Sequence, residues 1–278
     1  MKTKDGRRFS KTDESNDLYL LIENYITKIQ LSSADNLINI DNSIHEIRKS
    51  LKAVLAILLL FKTPSNLSQY LQWKSHFRSI LKQFTPSRES YVLIQTLCYI
   101  EGTLNDSGNS YFTEIRNALE SNYNFLVKEN ESLNIKIKEL HEIFNTLSMA
   151  INSSFKNCNF KLLKENHKYT FQMTHRIFKR LTIKSSPEEY HKFRKWCIYY
   201  HLQQTALNDI GLEKISPEKE HKFHKLTEYL GNEHDLQIFH DYLKINFHDL
   251  SEKIEPFFLF KINRLREKAL SLYPKIFS

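Results

Sequence analysis

The sequence predicts an all-α protein, and three observations carry that expectation. Only 5 glycines and 6 prolines punctuate 278 residues, so long segments run without a breaker. Apolar residues recur at helical spacing, and no alternating run marks a strand. Proline stands just behind Thr63, Thr85, Ser186 and Ser216, the place at a helix start where its missing N–H costs nothing. With 41% apolar residues the chain can fill a core of ordinary size.

Residues 1–14 are charged and poor in apolar side chains, and read as a flexible tail. Leu18, Leu21, Ile22, Tyr25, Ile26 and Ile29 form the stripe of a first helix, Asp17 to Leu31. A second helix starts near Asp41 to Ser43, where Ser43 and Glu46 have capping-box spacing and Asp41 is the alternative cap. It runs to Phe61 through an almost wholly apolar middle, as a buried bundle helix does. Thr63-Pro64 opens a helix to about Phe84, and Thr85-Pro86 opens another from Ser87 to about Glu101. Gly102 to Asn109 reads as a loop, and Tyr111 to Lys128 as a helix. Glu129 to Asn157 continues the helical stripe through Leu133, Ile137, Leu140 and Phe144.

Further on, a helix covers about Asn159 to Leu181. Ser186-Pro187-x-Glu189 is a capping box with proline at the first helical position, opening a helix to about Leu207. Ser216-Pro217 opens a helix expected to stop at Gly231. Asn232 to Phe247 and Glu255 to Leu272 complete the set.

The formal net charge is +8, which points to an acidic partner: nucleic acid, an anionic surface or another polyanion. Cys98, Cys158 and Cys197 stand far apart with no zinc-like spacing and read as reduced thiols. The longest apolar run, Val54 to Phe61, is far too short to span a bilayer. A soluble, cytoplasmic protein is expected.

One short pattern occurs twice. His45-x-x-Arg48-Lys49 returns as His191-x-x-Arg194-Lys195, at an offset of 146 residues. Positions i, i+3 and i+4 share a helical face, so each copy groups an imidazole, a guanidinium and an ammonium. The offset also matches Arg88-Glu89 to His234-Asp235 and Tyr111-Phe112 to Phe257-Phe258. An internal duplication follows as an expectation, with two pseudo-symmetric four-helix-bundle halves in one helical domain. Half one covers about 15–130, a connecting helix about 131–157, and half two about 158–275.

At these residues the chain resembles the CHAD family, the conserved histidine α-helical domains. The carriers are Ile44-His45-x-x-Arg48-Lys49-x-x-Lys52, Tyr190-His191-x-x-Arg194-Lys195, the run from Leu226 through Leu230-Gly231 to Asp235-Leu236, and Arg264-Leu265-Arg266-Glu267-Lys268-Ala269. The resemblance spans about residues 15–275. It implies an all-α fold of two four-helix halves and non-enzymatic binding of inorganic polyphosphate in a basic groove, without cofactor or metal. Polyphosphate granules would then be one cellular location. Ile198 stands where the match to Lys52 would put a cation, and Leu55 where a further arginine is common.

The expected polyphosphate-binding residues are His45, Arg48, Lys49, Lys52, Lys74, Arg78, Arg88, His175, Arg176, His191, Arg194, Lys195, Lys225, Lys261 and Arg264. Arginine grips two phosphate oxygens at once, and lysine supplies a mobile point charge. Glu89 and Asp235 are expected to orient a histidine or arginine rather than touch the anion. For the lysines the competing reading is a solvated surface charge. For His45 and His191 it is a neutral imidazole satisfied by Glu89 or Asp235.

Three rivals to polyphosphate carry less of the sequence. Glu188-x-x-His191 and Glu218-x-x-His221 have di-iron spacing, but both lie near helix starts and lack the further glutamates. Nucleic acid shares the charge requirement, but stacking needs exposed aromatics beside the cations, and most Tyr and Phe fall on apolar stripes. Nucleic acid is the runner-up to polyphosphate, and histidine phosphotransfer ranks third.

Overall fold

A helix as apolar as Ile40–Leu60 has one stable place, the middle of a bundle. Its residues from Ala53 to Leu60 are all buried, as are Ile44, Ile47 and Leu51 one to two turns earlier. This helix is α1 of a computed structural model that describes residues 23–24, 26–28, 31, 40–104, 110–128, 140 and 160–277. The expected tail, most of the Asp17–Leu31 helix and, apart from Leu140, the connecting helix lie outside the described residues.

The other elements are α2 (Leu67–Gln83), α3 (Thr85–Leu104), α4 (Ser110–Tyr123) with a π-turn at Asn124–Lys128, α5 (Phe160–Phe178), α6 (Pro187–Asp209), α7 (Pro217–Asn246), α8 (His248–Leu272) and α9 (Pro274–Phe277). No strand occurs among the described residues, so the all-α expectation holds. Nor is any helix among them long and apolar enough to cross a membrane.

The chain forms two compact units. One comprises Met1–Pro86, Asn130–Gln172 and Tyr199–Ile215; the other comprises Ser87–Glu129, Met173–Ile198 and Ser216–Ser278. Helices α5 and α6 each pass from one unit to the other partway along.

In the first unit, α1 ends among apolar residues, which leaves its last carbonyls without intrahelical donors. Two asparagines satisfy the carbonyls here. Asn166 Nδ2 donates to the carbonyls of Leu60 (2.7 Å) and Lys62 (2.8 Å), and Asn66 Nδ2 donates to that of Phe61 (2.8 Å). Farther along α1, the buried Gln203 donates to the Ala56 carbonyl at 2.8 Å. Its Oε1 lies 3.4 Å from Nδ1 of His167, whose ring stacks on Tyr200 at 4.6 Å.

Local cap chemistry places several helix starts as expected. The Ser186 N–H donates to Glu189 Oε2 (3.0 Å) and the Glu189 N–H donates to Ser186 Oγ (3.3 Å), the reciprocal bonds of a capping box. Ser216 Oγ accepts from the Lys219 N–H at 3.2 Å, with Pro217 at the first helical position.

Four boundaries differ from expectation. The helix after Thr63-Pro64 starts only at Leu67, because Thr63 and Asn66 bond each other: the Thr63 N–H to Asn66 Oδ1 (2.8 Å), the Asn66 N–H to Thr63 Oγ1 (3.0 Å). Helix α3 continues through Gly102 to Leu104. Gly231 does not stop α7, which runs on to Asn246. Interior glycine costs about 1 kcal/mol relative to alanine, and burial of Leu226, Leu230, Leu236 and Phe239 on both sides of it outweighs that cost. Helix α8 begins at His248 and carries Pro256 inside it; the proline is exposed, so water can serve the carbonyl it leaves free.

The second unit packs α3, α4, α7 and α8 around Leu93, Leu97, Ile115, Leu119, Leu236, Phe239, Leu243, Phe258 and Ile262. One ion pair crosses this core. Arg266 (6% exposed) donates through Nε and Nη2 to Oε1 of Glu233 (3% exposed) at 2.8 and 2.7 Å. Its Nη1 donates to the carbonyls of Ile183 (3.0 Å) and Ser185 (2.9 Å), and the guanidinium lies 4.2 Å from the centroid of the Tyr190 ring. Tyr190 donates in turn to the Thr182 carbonyl at 3.1 Å. One side chain thus ties α8 to α7, to α6 and to the turn that precedes α6. Burial pushes the Glu233 carboxyl pKa up, against the pull of Arg266 and then Arg194.

Two measurements test this packing. Glu233→Gln strands a buried guanidinium, and the unfolding free energy in urea should fall by about 3–5 kcal/mol; a change within about 0.5 kcal/mol, as at an ordinary surface site, would show that the pair is dispensable. The second concerns His240, buried on α7 and stacked on Phe258 at 4.9 Å. Burial pushes its pKa below 6.5, helped by Lys244 and opposed by Glu255 and Asp241. A depressed folded pKa means full stability above the unfolded value, lost as pH falls through the folded one. Melting temperature should therefore decline from pH 7 to pH 5, and His240→Gln should flatten that slope.

Candidate functional site: a basic groove in the second unit

The second unit carries a groove of about 460 Å³. Helix α3 contributes Arg88, Tyr91, Val92, Gln95, Thr96 and Tyr99; α7 contributes Asn232, Asp235 and Leu236; α8 contributes Lys261, Arg264, Leu265 and Lys268. Each set repeats at three- and four-residue steps, so each is one helical face. Val92, Leu236 and Leu265 are the apolar part of the lining, and four cations and one carboxylate make up its charge.

Three of the four cations lie against aromatic rings. The Arg88 guanidinium lies 5.2 Å from the Tyr91 centroid. Lys261 Nζ lies 5.7 Å from that of Tyr99 and 5.4 Å from that of Phe257, and Lys268 Nζ lies 5.3 Å from that of Tyr229. Among the described residues none of these four cations is in an ion pair. Asp235 is the carboxylate that lines the groove beside them.

Asp235 also acts on Arg194. Burial lowers the Arg194 pKa, and Asp235 followed by Glu233 raises it. Arg194 Nη2 passes 3.7 Å from where a Cβ on Gly231 would stand, and its buried Nε has no hydrogen-bond partner among the described residues. One turn away on each helix, the rings of His191 and His234 are 4.9 Å apart. The second motif copy thus faces α7 through an imidazole pair and a guanidinium near a carboxylate.

The first copy, in the other unit, is built differently. Arg48 Nη1 donates to the Leu81 carbonyl (2.6 Å) and to Thr85 Oγ1 (3.0 Å), and Thr85 Oγ1 donates to the same carbonyl (3.0 Å). Arg48 therefore serves the last turn of α2, where unpaired carbonyls gather. Lys49 and His45 are exposed and lie 3.4 and 4.0 Å from Glu46. Lys52 is half-buried, and Glu89 is exposed.

Of the expected site residues, Arg88, Asp235, Lys261 and Arg264 meet in the groove. His191 and Arg194 stand beside α7, and Lys195 is half-buried on the same helix. Lys74 and Arg78 lie on α2 in the other unit. His175 packs into an aromatic cluster, 6.3 Å from Tyr273 and 6.4 Å from Phe178, rather than in the groove. Arg176 and Lys225 are exposed and do not line it.

Sequence reasoning missed Tyr91, Tyr99 and Asn232, and left Lys268, which shares the helical spacing of Lys261 and Arg264, out of the expected binding residues. The available signal was helical register: 91 and 99 lie three and eleven residues after Arg88, along one face.

No family model matches the sequence, and no curated protein matches it. Among solved structures the chain is similar to the crystal structure of the CHAD domain from the plant Ricinus communis. The TM-score is 0.63 at 12% identity, over 92% of this chain and 86% of that one. The chain therefore has the fold of a CHAD domain; identity this low carries the fold alone.

The bonds of Arg48 make a prediction about its role in folding. Arg48→Ala should lower the unfolding free energy by about 1–3 kcal/mol by removing the charge-assisted bonds to the Leu81 carbonyl and Thr85 Oγ1, which leaves Thr85 as the remaining side-chain donor to that carbonyl. Lys49→Ala, which removes only an exposed pair, should change it by under about 0.5 kcal/mol. Equal effects in denaturant titrations would show that Arg48 is not a helix-end tether.

Proposed function

We propose that the chain binds inorganic polyphosphate, or a polyanion of like charge spacing, in the α3–α7–α8 groove, without transforming it. The observation that carries this reading is the set Arg88, Lys261, Arg264 and Lys268: four cations on one groove, none in an ion pair among the described residues. Polyphosphate has about one charge per phosphoryl group along a flexible thread, so a row of cations suits it better than a single deep pocket. Lys261 to Lys268 spans about 10 Å along α8 by helix rise, enough for several phosphoryl groups. The resemblance of the sequence to the CHAD family, and the shared fold, support the same ligand class.

In this reading His191 and Arg194 extend the groove along α6, and Asp235 orients Arg194 instead of meeting the anion. Lys195 belongs to the same proposal, as do the surface cations Arg176 and Lys225. The first motif copy, with His45, Lys49 and Lys52, supplies further cations on its own unit, and the 146-residue register between the copies is an ancestral duplication.

A second reading has one specific observation in its favour. Tyr91 and Tyr99 line the groove beside the cations, and Tyr99 is 52% exposed. Single-stranded nucleic acid stacks its bases on such rings. Direct competition decides between the two: long-chain polyphosphate against single-stranded DNA and RNA at matched charge. Preference for nucleic acid would overturn the first reading.

Salt dependence tests the groove itself. Each cation that neutralises a phosphate releases counterions, so removing one should lower the slope of log affinity against log salt by about 1. Lys261→Ala with Arg264→Ala should flatten the polyphosphate slope by about 2 on that basis. An unchanged slope would place the binding elsewhere.

A further inference from the structure

Helix α8 has one turn that is apolar on every side. Pro256-Phe257-Phe258-Leu259-Phe260 are five apolar residues in a row, so they point all round the helix axis. A helix on the side of a bundle needs an apolar stripe on one face only. Phe258 meets that need: it is buried against Phe239 at 6.0 Å and His240 at 4.9 Å. Pro256 is exposed, Leu259 is 49% exposed and Phe260 is 60% exposed. Phe260 therefore stands on the face turned away from the core, where an aromatic ring gains nothing from the fold of its own chain.

The charges on that face decide what covers it. Steps of three and four residues from Phe260 reach Pro256, Lys253 and Asp249 in one direction, and Arg264 and Glu267 in the other, all of them exposed. Two cations and two carboxylates balance there, on a chain whose formal charge is +8. An anionic lipid surface selects faces rich in lysine and arginine, which this one is not. A neutral strip suits a second copy of the chain, which the rest of a basic surface would repel.

The register fits a two-fold axis. Phe260 is the middle residue of α8, twelve from His248 and twelve from Leu272. If two copies of α8 lie antiparallel about an axis at Phe260, residues equally far before and after it meet. Lys253, seven before, then meets Glu267, seven after, and symmetry makes that contact twice. Arg264 meets Pro256, and Asp249 meets Ser271, so no like charges oppose each other along the strip.

We propose that the outer face of α8 is the contact surface of a homodimer, in which two copies pair antiparallel about Phe260 and Lys253 of each reaches Glu267 of the other. The surface needs residues of α8 alone and does not depend on the ligand proposed for the α3–α7–α8 groove.

Zero-length carbodiimide crosslinking tests the register on the intact chain. Lys253 and Glu267 of one chain are about 21 Å apart by helix rise, beyond the reach of a direct amide bond. In a mixture of ordinary and nitrogen-15-labelled chains, the Lys253–Glu267 crosslinked peptide should carry both labels. Sedimentation equilibrium should show the mass rising from that of one chain, 33.2 kDa, toward twice that value with loading. Phe260→Glu should raise the dimer dissociation constant by about tenfold or more, as loss of a central interface aromatic does, with unchanged circular dichroism. Lys253→Glu should also weaken the dimer, and adding Glu267→Lys to it should restore the affinity. A single-chain mass at every loading would overturn the proposal, as would crosslinks between copies that omit Lys253–Glu267, or a charge swap that restores nothing. Flotation with phosphatidylserine vesicles checks the rival occupant. Lipid binding by a monomeric chain, abolished by Phe260→Glu, would assign the face to a membrane surface and overturn the dimer; no binding supports it.

Discussion

The Arg266–Glu233 pair is the constraint on which the second unit depends. A buried ion pair of this kind is seldom a net source of stability compared with apolar side chains of equal volume, yet removal of either partner is costly. Its effect is therefore mainly on geometry. Arg266 reaches Glu233 on α7, two carbonyls in the turn before α6 and the face of Tyr190 on α6. Those bonds fix the rotation of α8, because Arg266 can face the core only if Arg264 and Lys268 face outward. The buried charge thus sets which exposed charges line the groove.

The arginines divide along the same physical line. Arg48 and Arg266 use their planar forks on backbone carbonyls at chain turns, where a lysine could satisfy fewer acceptors. Arg88 rests on a tyrosine ring at the groove. Arg194 stands between these cases, largely buried near two carboxylates but with its Nε unbonded among the described residues. The two copies of His-x-x-Arg-Lys show why a motif is not a role. Spacing puts the three side chains on one face, and the neighbouring helix decides what that face meets.

Legibility followed the range of the interaction. The starts of α6 and α7 were readable because Ser186, Pro187, Glu189 and Ser216 act within three residues. The start of α2 was misread by a few residues because Thr63 and Asn66 offer each other better partners than a cap at Thr63 would have. Gly231 looked like a stop because its local cost is real, and the burial that overrides it comes from other helices. The cation ladder Lys261, Arg264, Lys268 was visible as spacing. Tyr91 and Tyr99 were not, since an aromatic at helical spacing looks the same whether it faces a core or a groove. No local feature told Arg266 apart from Arg264; only the position of α7 does.

How the groove keeps its charge is a separate question. Cations gathered on adjacent helices repel one another, and the usual remedy is interleaved carboxylates, which also cancel the field a polyanion would feel. Here the remedy is aromatic. The rings of Tyr91, Tyr99, Phe257 and Tyr229 each hold a cation within 6 Å of their centroids. A ring quadrupole attracts a cation without adding a net negative charge. The same device recurs at Tyr70, which holds Lys62 and Lys74 where no carboxylate pairs with them among the described residues. Aromatic support restrains the cations and leaves their charge available. Dense tyrosine beside lysine and arginine is therefore a way to gather cations without cancelling their field with carboxylates.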